Sequence, residues 1–396
     1  MKILFLSSWF PYPTDNGSKI RIFNLLKGLT QHHDITLLAF TRNEDFLMYL
    51  PVLQDFCCKV AIVPWREYKP NSHRALLGFF SQQPRSIVDT YSPTMHQMIN
   101  TELKKGNDYD ILIASQLPMA AYVPGNNRIP ALFEEIELAA ILDLYTKSTS
   151  IHKLRAGLTL LKTKRYISSL FTKFSAITVV SDLEKKIVSE FAPTTAPIYI
   201  IPNCLDGTLY RSVYSNPEPD TIIFTGSLTY QANYQAVCFF MNEIYPLVKQ
   251  IIPSMRIKIT GKIDGMSLPS EFHDESVELT GFVEDVKPLI ASSAVSVVPL
   301  LGGGGTRLKI LEALALGTPV VSTSKGAEGL DVQNERHLLI ADNPQDFADS
   351  LIRLLKDPEL RNQLGENGRR LVQEKYDWQS VMPSFLEIVE SLSEPR

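Results

Sequence analysis

Along this chain, short apolar runs rich in β-branched residues alternate with stretches whose apolar positions recur every three or four residues. The first kind reads as strands buried on both faces and the second as amphipathic helices. In the first half the strand runs are Lys2 to Ser7, Asp34 to Phe40, Lys59 to Val63, Asp110 to Ala114, Ala131 to Phe133, Ser175 to Val180 and Ile198 to Ile201. In the second they are Thr221 to Thr225, Met255 to Thr260, Ser276 to Leu279, Ala294 to Pro299, Pro319 to Ser322 and His337 to Ile340. Strand and helix alternating in this way predict an α/β fold of βαβ units around parallel sheets, with enough strands in each half for its own doubly wound sheet. Between the halves, Asn203 to Asp220 has no helical period and is punctuated by Asp206, Gly207, Pro217 and Pro219, so it reads as a linker. Beyond Leu351 the pattern is nearly all helical, with breaks expected at Asp357-Pro358 and at Gly365, and it ends in an amphipathic segment from Trp378 to Leu392. The expected domains are residues 1–203 and 204–377, with a terminal helix over 378–396 packing back on the first.

Length and composition agree with two domains. The chain has 396 residues, 44% hydrophobic and 21% charged, which suffices for real cores and excludes disordered, collagen-like and coiled-coil chains. A net charge of -4 argues against a nucleic-acid binder that relies on global positive charge. The charge is uneven, at +5 over residues 1–200 and -9 over the rest, which suggests two surfaces with different partners. Cys57, Cys58, Cys204 and Cys238 have neither the spacing of a zinc site nor the density of a disulfide scaffold, and read as reduced thiols in the cytosol. Met1 to Leu6 is cut off by Ser7, Ser8, Pro11 and Pro13 before a signal-peptide core develops, and reads as a buried strand. No stretch reaches the roughly 18 to 20 apolar residues that cross a bilayer, so membrane contact is expected to be peripheral only.

The strongest local signal runs from Pro299 through Gly302-Gly303-Gly304-Gly305-Thr306-Arg307 and on through Lys309 and Glu312 to Gly317, Pro319 and Val320. An apolar strand ends, glycines turn the chain, and a helix is predicted from Thr306 to Leu316. Unpaired N–H groups and a partial positive charge at a helix start, beside glycines that allow close approach, suit a diphosphate. Arg307 and Lys309 add mobile cations, one a planar fork and the other a point charge. Glu312, almost two turns in, can accept hydrogen bonds from the paired hydroxyls of a ribose. The alternative is a surface hairpin followed by a solvated helix.

Here the sequence resembles the group 1, or family 4, retaining glycosyltransferases of the GT-B fold. The carboxylate at Glu312, followed by Ala313 and the Gly317-Thr318-Pro319-Val320 turn, matches the second half of that family's paired-glutamate motif. Ile201-Pro202-Asn203 with Asp206 is similar to its interdomain segment, and Thr225-Gly226-Ser227 to its first donor-domain strand and turn. Leu279-Thr280-Gly281-Phe282-Val283 with Asp285 resembles the loop that faces the base. Val180-Ser181 with Glu184, and Ala327-Glu328-Gly329, resemble two further recurrent segments. The resemblance implies two Rossmann-like domains facing a cleft. It also implies sugar transfer from a nucleotide diphosphate sugar to a hydroxyl acceptor, a glycan or lipid-linked glycan, in envelope or exopolysaccharide synthesis.

Two departures from the family stand out. Gly304 occupies the place of the first glutamate, and Gly226 to Asn233 contains neither the arginine nor the lysine usual there, so Arg307 and Lys309 are expected to supply that charge. Glu328 is a second carboxylate for the sugar. In the first half Asn16 and Gly17 resemble the acceptor-side loop, although Gly17 also suits a helix entry. Glu134, Glu135 and Glu137 follow a buried strand, where open α/β sheets place ligands. Glu135 is the candidate facing the reacting sugar, and a solvated, carboxylate-rich helix start is the other reading.

From Leu144 to Ser181 there is no acidic residue, while Lys147, Lys153, Arg155, Lys162, Lys164, Arg165 and Lys173 fall among apolar positions. Trp65, Arg66, Lys69, Arg74, Phe79, Phe80 and Arg85 make a second basic-aromatic stretch. Such segments lie on anionic membrane surfaces or are solvated helices packed on a sheet. The expected enzyme uses Gly226, Ser227, Gly281, Phe282, Val283, Gly303, Gly304, Gly305, Thr306, Glu312 and Glu328 for the donor. Arg307, Lys309 and Glu135 act in catalysis, with no metal, no cofactor beyond the donor and no nucleic acid. It is expected in the cytoplasm, peripheral at the inner face of the plasma membrane through 144–181. The competing readings are a noncatalytic nucleotide-sugar-binding partner and another nucleotide-sugar enzyme of this fold, such as an epimerase.

Overall fold

The computed structural model describes residues 1–42, 46–104, 108–125, 129–138, 142, 150–214, 216–263, 269, 272, 274–303, 305 and 307–393. Thirteen strands occur among them, every one over a run that the hydrophobic pattern marks and differing from it by at most three residues at an end. The chain divides into two compact units, one of residues 1–203 with 382–396 and the other of residues 204–381.

The first unit is a seven-stranded parallel sheet. Its strands are β1 (Lys2–Ser7), β2 (Asp34–Thr41), β3 (Lys59–Pro64), β4 (Ile111–Ser115), β5 (Ala131–Glu134), β6 (Ala176–Val179) and β7 (Ile198–Ile200), in the order β3-β2-β1-β4-β5-β6-β7. Beyond its first residue β1 is wholly buried, and so is all of β4, because helices cover both faces; that is why these strands carry unbroken apolar runs instead of alternation. The order reverses between β1 and β4, and the carboxyl ends of those strands are where a doubly wound sheet opens to ligands. The helix Gly17–Leu29 returns from β1 and is entered through Asn16, whose side chain accepts from the Lys19 N–H at 3.1 Å.

The second unit is built the same way. The strands β8 (Glu218–Thr225), β9 (Arg256–Thr260), β10 (Val277–Gly281), β11 (Ser293–Val298), β12 (Val320–Ser322) and β13 (Leu339–Ile340) are ordered β10-β9-β8-β11-β12-β13, with the reversal between β8 and β11. The segment that reads as a linker is structured. Leu205 is buried and bridges to Asp377, Thr208–Arg211 is a short helix, and β8 starts at Glu218 and takes in Pro219 and Asp220. Short range is what hides this from periodicity: one helical turn and a strand end carry too few apolar positions to show a period.

Asp357-Pro358 does separate two helices, Pro344–Lys356 and Pro358–Lys375, with the Asp357 side chain accepting from the Leu360 N–H at 2.9 Å. Gly365 is not a break, for the second helix runs straight through it. A Cβ there would collide with the Gly317 carbonyl oxygen, and a Cβ on Gly368 would fall 2.5 Å from the Leu314 side chain, so both glycines serve close helix packing. The last helix, Trp378–Ser393, passes from one unit to the other between Val381 and Met382. Among the described residues no helix is long and apolar enough to cross a membrane.

Candidate functional site

In the second unit, three adjacent strands end on the same dipeptide. Thr225-Gly226, Thr260-Gly261 and Thr280-Gly281 close β8, β9 and β10, and all three glycines have positive φ, at 134°, 120° and 67°. The Gly226 N–H donates to the Thr260 carbonyl at 3.2 Å and the Gly261 N–H to the Gly281 carbonyl at 2.8 Å. A Cβ on Gly261 would lie 2.5 Å from the Gly226 carbonyl carbon and oxygen. This rim is therefore bare peptide, and it adjoins the point where the strand order reverses.

The glycine-rich loop lies beyond β11. Gly303 and Gly305 have φ of 96° and 83°, as a tight turn requires, while Gly304 and Thr306 lie outside the described residues. The helix starts at Leu308 instead of Thr306, because Arg307 at its entry has a non-helical backbone and no side chain caps it. The two cations are fixed, not mobile. Arg307 is buried, and its Nη2 donates to the Gly303 carbonyl at 2.7 Å, so the guanidinium folds back inside the loop and holds it.

Lys309 points the other way, to the start of the sheet. Its Nζ donates to Asn233 Oδ1 at 2.9 Å and lies 4.4 Å from the centre of the Phe224 ring. Asn233 in turn donates to the Ser227 carbonyl at 2.9 Å, and a Cβ on Gly226 would come within 2.9 Å of the ammonium. Burial, and then the charge of Arg307, push the Lys309 pKa down to about 7, with Glu312 opposing them. The site thus holds a lysine that an incoming anion would help to keep charged.

Glu312 accepts from Tyr210 Oη at 3.2 Å. Burial raises its pKa, opposed by the Tyr210 hydrogen bond and by Lys287 and Lys309. Phe282 is 65% exposed, with Lys262 Nζ 5.4 Å from its ring centre, and Val283 beside it is partly buried. Ser227 Oγ pairs with Thr229 Oγ1 at 2.7 Å. Glu328 forms an ion pair with Lys325, on the loop after β12, which Thr323 ties to the Leu300 carbonyl. Gly226, Ser227, Gly303, Arg307 and Lys309 thus belong to one neighbourhood, with Glu312 a turn further along the helix.

The first unit has its own polar centre at the ends of β1, β4 and β5. Arg21 is fully buried; its Nε donates to Glu134 at 2.6 Å, and its Nη1 to the carbonyls of Ile201 and Pro202 and to Asn203 Oδ1. Ser115 donates to the other Glu134 oxygen at 2.6 Å. Glu135 has φ of 57°, and its carboxyl accepts from Gln116 Nε2 at 2.8 Å. Gln116, itself at φ 70°, also donates to Ser18 Oγ and accepts from the Trp9 indole at 3.1 Å. Burial pushes the Glu135 pKa up to about 8; Arg21 opposes the shift, while Glu134 and Glu137 add to it. The side chain of Asn16 is engaged as the helix cap, and Gly17 is the first residue of that helix. Ser181 caps the helix Asp182–Phe191, and Glu184 accepts from the Leu138 N–H at 2.9 Å.

Sequence reasoning passed over Arg21, Gln116, Tyr210, Gly261 and Lys262. Arg21 sat at a helical core position, where a cation is expected only if paired, and that mismatch was a usable signal. The threefold repetition of Thr-Gly at strand ends was another. Among the described residues no group of three or more His, Cys, Asp or Glu is placed to hold a metal.

Two doubly wound parallel units, with a glycine rim and a cation at the switch point of the second, define the GT-B class, and comparison with solved structures agrees. Sucrose-phosphate synthase from Thermosynechococcus elongatus superposes with a TM-score of 0.70 over 99% of both chains at 17% identity. HepE of Anabaena, solved with UDP-glucose, gives 0.66 over 99% of this chain and 100% of that one at 15% identity. Residues 219–357 match the family model described as glycosyl transferases group 1. The matched stretch lies within the second unit, which thus carries the similarity to group 1 glycosyl transferases. A 44.6 kDa protein of the cps region of Klebsiella pneumoniae is 22% identical over 97% of this chain and 98% of its own length. The phosphatidyl-myo-inositol mannosyltransferase of Mycobacterium leprae is 25% identical over 76% of this chain and 79% of its own length.

Proposed function

We propose that this glycosyltransferase moves a sugar from a nucleoside diphosphate sugar to a hydroxyl of a glycan or lipid-linked glycan, with retention of anomeric configuration. The observation that carries this reading is the seat of Lys309, whose ammonium is held by Asn233 beside Gly226 at the strand-order reversal of the second unit. A cation seated against a bare backbone rim suits a diphosphate, which needs charge close by and no side chain in the way. The Anabaena HepE neighbour was solved in complex with UDP-glucose, and the Klebsiella relative comes from a cps region, which supports a nucleotide sugar and an envelope or exopolysaccharide product.

In this mechanism the anomeric carbon–oxygen bond breaks and its electron pair goes to the diphosphate. Lys309, the Gly303 backbone held by Arg307, and the helix start at Leu308 stabilise that developing charge, the main catalytic contribution. The acceptor oxygen bonds the anomeric carbon on the same face, and its proton passes to the departing phosphate oxygen. Gly281 to Val283 receive the base, Glu312 the ribose hydroxyls, and Glu328 the sugar. Glu135, with Asn16 and Gly17, serves the acceptor side. No metal is needed in this scheme, because fixed cations and backbone N–H groups take its place. The enzyme acts in the cytoplasm, at the inner face of the plasma membrane.

Thermal shift with UDP, GDP, ADP, TDP and their sugars, on wild type and Lys309→Met, tests the donor site. Stabilisation by one base series, lost in the variant, and donor hydrolysis with that sugar are expected. No shift with any nucleotide would overturn the assignment, and an inverted product configuration by NMR would overturn retention.

A further inference from the structure

The helix Ser150–Phe171 has two faces that do not resemble each other. Tyr166, Ile167, Leu170 and Phe171 lie on one side and are buried in the first unit's core. Leu158, Leu161, Lys162 and Arg165 follow the i, i+3, i+4, i+7 rule and so share the outer side. On that outer side Leu158 is 63% and Leu161 47% exposed. A solvated outer face would carry mixed charges; this one carries leucines and cations, and the chain has no acid between Leu144 and Ser181.

The structure joins this face to the second basic-aromatic stretch. Lys162 Nζ donates to the Gly78 carbonyl at 2.7 Å, which seats the helix against the turn that follows the helix His73–Leu77. That turn presents Leu76, Leu77, Phe79 and Phe80, all exposed, and Phe80 is 93% exposed at its tip. The tip is held open by design of its bonds: the Phe80 N–H donates to the Leu77 carbonyl at 3.0 Å, and Arg85 donates to the Ala75 carbonyl while its guanidinium covers Phe79 at 3.9 Å. Tyr68 to Val88 contains no acidic residue either. Of the acids that flank it, Asp89 is buried, bonded to Ser72 and the Lys69 N–H and facing Arg66, while Glu67 is exposed and its charge acts on Arg42.

From this we infer that the turn at residues 76–80 and the outer face of the helix over 158–165 form one docking surface for an anionic lipid bilayer. Phe80 and Leu77 enter the acyl boundary, while exposed Arg165, with Lys164 at the edge of the same helix, meets the headgroups. The inference deepens the proposed place of action and rests on it. The surface is not the 144–181 segment alone: its most exposed apolar side chains come from the other stretch, which gives the partner both an apolar insertion and a charge partner. Exposed leucine and phenylalanine beside cations, with no acid in either stretch, suit the apolar boundary and negative charge of an anionic lipid surface.

Sedimentation with vesicles of phosphatidylcholine, with and without phosphatidylglycerol, tests it on the full chain. Binding is expected only with phosphatidylglycerol, falling as salt rises. Lys164→Glu and Arg165→Glu should each weaken partition by about fivefold or more, the effect of about 1 kcal/mol per cation. Leu77→Ser with Phe80→Ser should abolish binding, and this double variant alters exposed positions only. Circular dichroism and nucleotide thermal shift on the same variants report folding and the donor site separately. Vesicle binding lost with nucleotide binding intact supports the surface. Equal binding to both vesicles, no binding to either, or a dimer that Phe80→Ser dissociates would overturn it. Loss of all nucleotide binding with vesicle binding intact would leave the surface standing and remove the donor reading instead.

Discussion

The Lys309 ammonium lies 2.9 Å from the side-chain oxygen of Asn233. The helix that follows β11 and the helix Gln231–Phe239 that follows β8 therefore meet across the strand-order reversal, and the Lys309 side chain carries charge to the glycine rim. Replacing it should cost function more than stability. Lys309→Met is expected to lower kcat/KM by about 100-fold or more, as for loss of one preorganised transition-state charge, while leaving the melting temperature equal or higher. Steady-state kinetics with the identified donor and a thermal melt check both halves of that statement.

Under the proposed donor reading, the same lysine should give binding a pH dependence. With its pKa down at about 7, the side chain is largely neutral in the empty protein above that pH. A diphosphate favours the charged form, so binding should take up a proton and weaken as pH rises from about 7 to 9. Calorimetry at pH 8 in two buffers of different ionisation enthalpy should show proton uptake near one per site in wild type and none in Lys309→Met.

Glu135 should affect stability in a definite direction. Its pKa is raised from the ordinary carboxylate value to about 8, so the folded state holds a proton that the unfolded chain releases above about pH 4.5. The contribution is fully present below the unfolded value and is lost as pH rises through about 8. Glu135→Gln should therefore flatten the fall in melting temperature between about pH 5 and 9. An unchanged slope would show that Glu135 does not carry that proton.

Arg21 and Glu134 are both without solvent exposure. Arg21→Met should destabilise the first unit by about 3 to 5 kcal/mol, because it strands a buried carboxylate and removes the tie to Ile201, Pro202 and Asn203. Adding Glu134→Gln should recover much of that loss. A denaturant melt of both variants reads the coupling directly.

Gly365→Ala runs against ordinary helix behaviour. Alanine in a helix interior is normally the more stable choice by about 0.5 to 1 kcal/mol. Here the new methyl would press on the Gly317 carbonyl oxygen, so a loss of about 1 to 3 kcal/mol is expected instead. A gain in the urea midpoint would show that the Gly317 turn moves aside.

These features were unequally legible beforehand. Most of the thirteen strands among the described residues are visible in the chain because parallel strands buried on both faces leave apolar runs, although the helix Phe46–Gln54 carries such a run as well. Glu312 and the glycine turn were visible because their order along the chain is their order in space. Gly365 misled because a glycine that breaks a helix and a glycine that lets a helix approach a turn look alike in one dimension. Tyr210 sits 102 positions from Glu312, and Arg21 sits 113 from Glu134; only folding brings each pair together. The roles of Arg307 and Lys309 differ for the same reason: two positions apart on the chain, one is turned inward to the loop and the other across to Asn233.

The three Thr-Gly endings constrain how this molecule can change. At Gly226 and Gly261 any side chain meets neighbouring atoms, so mutation has almost no vocabulary at the rim itself. A descendant that came to prefer a different donor would have to acquire that preference at the margins, at exposed Phe282 and Tyr230 or at the Tyr210–Glu312 pair. The rim would persist as inherited scaffolding while the choice of sugar or base drifted around it.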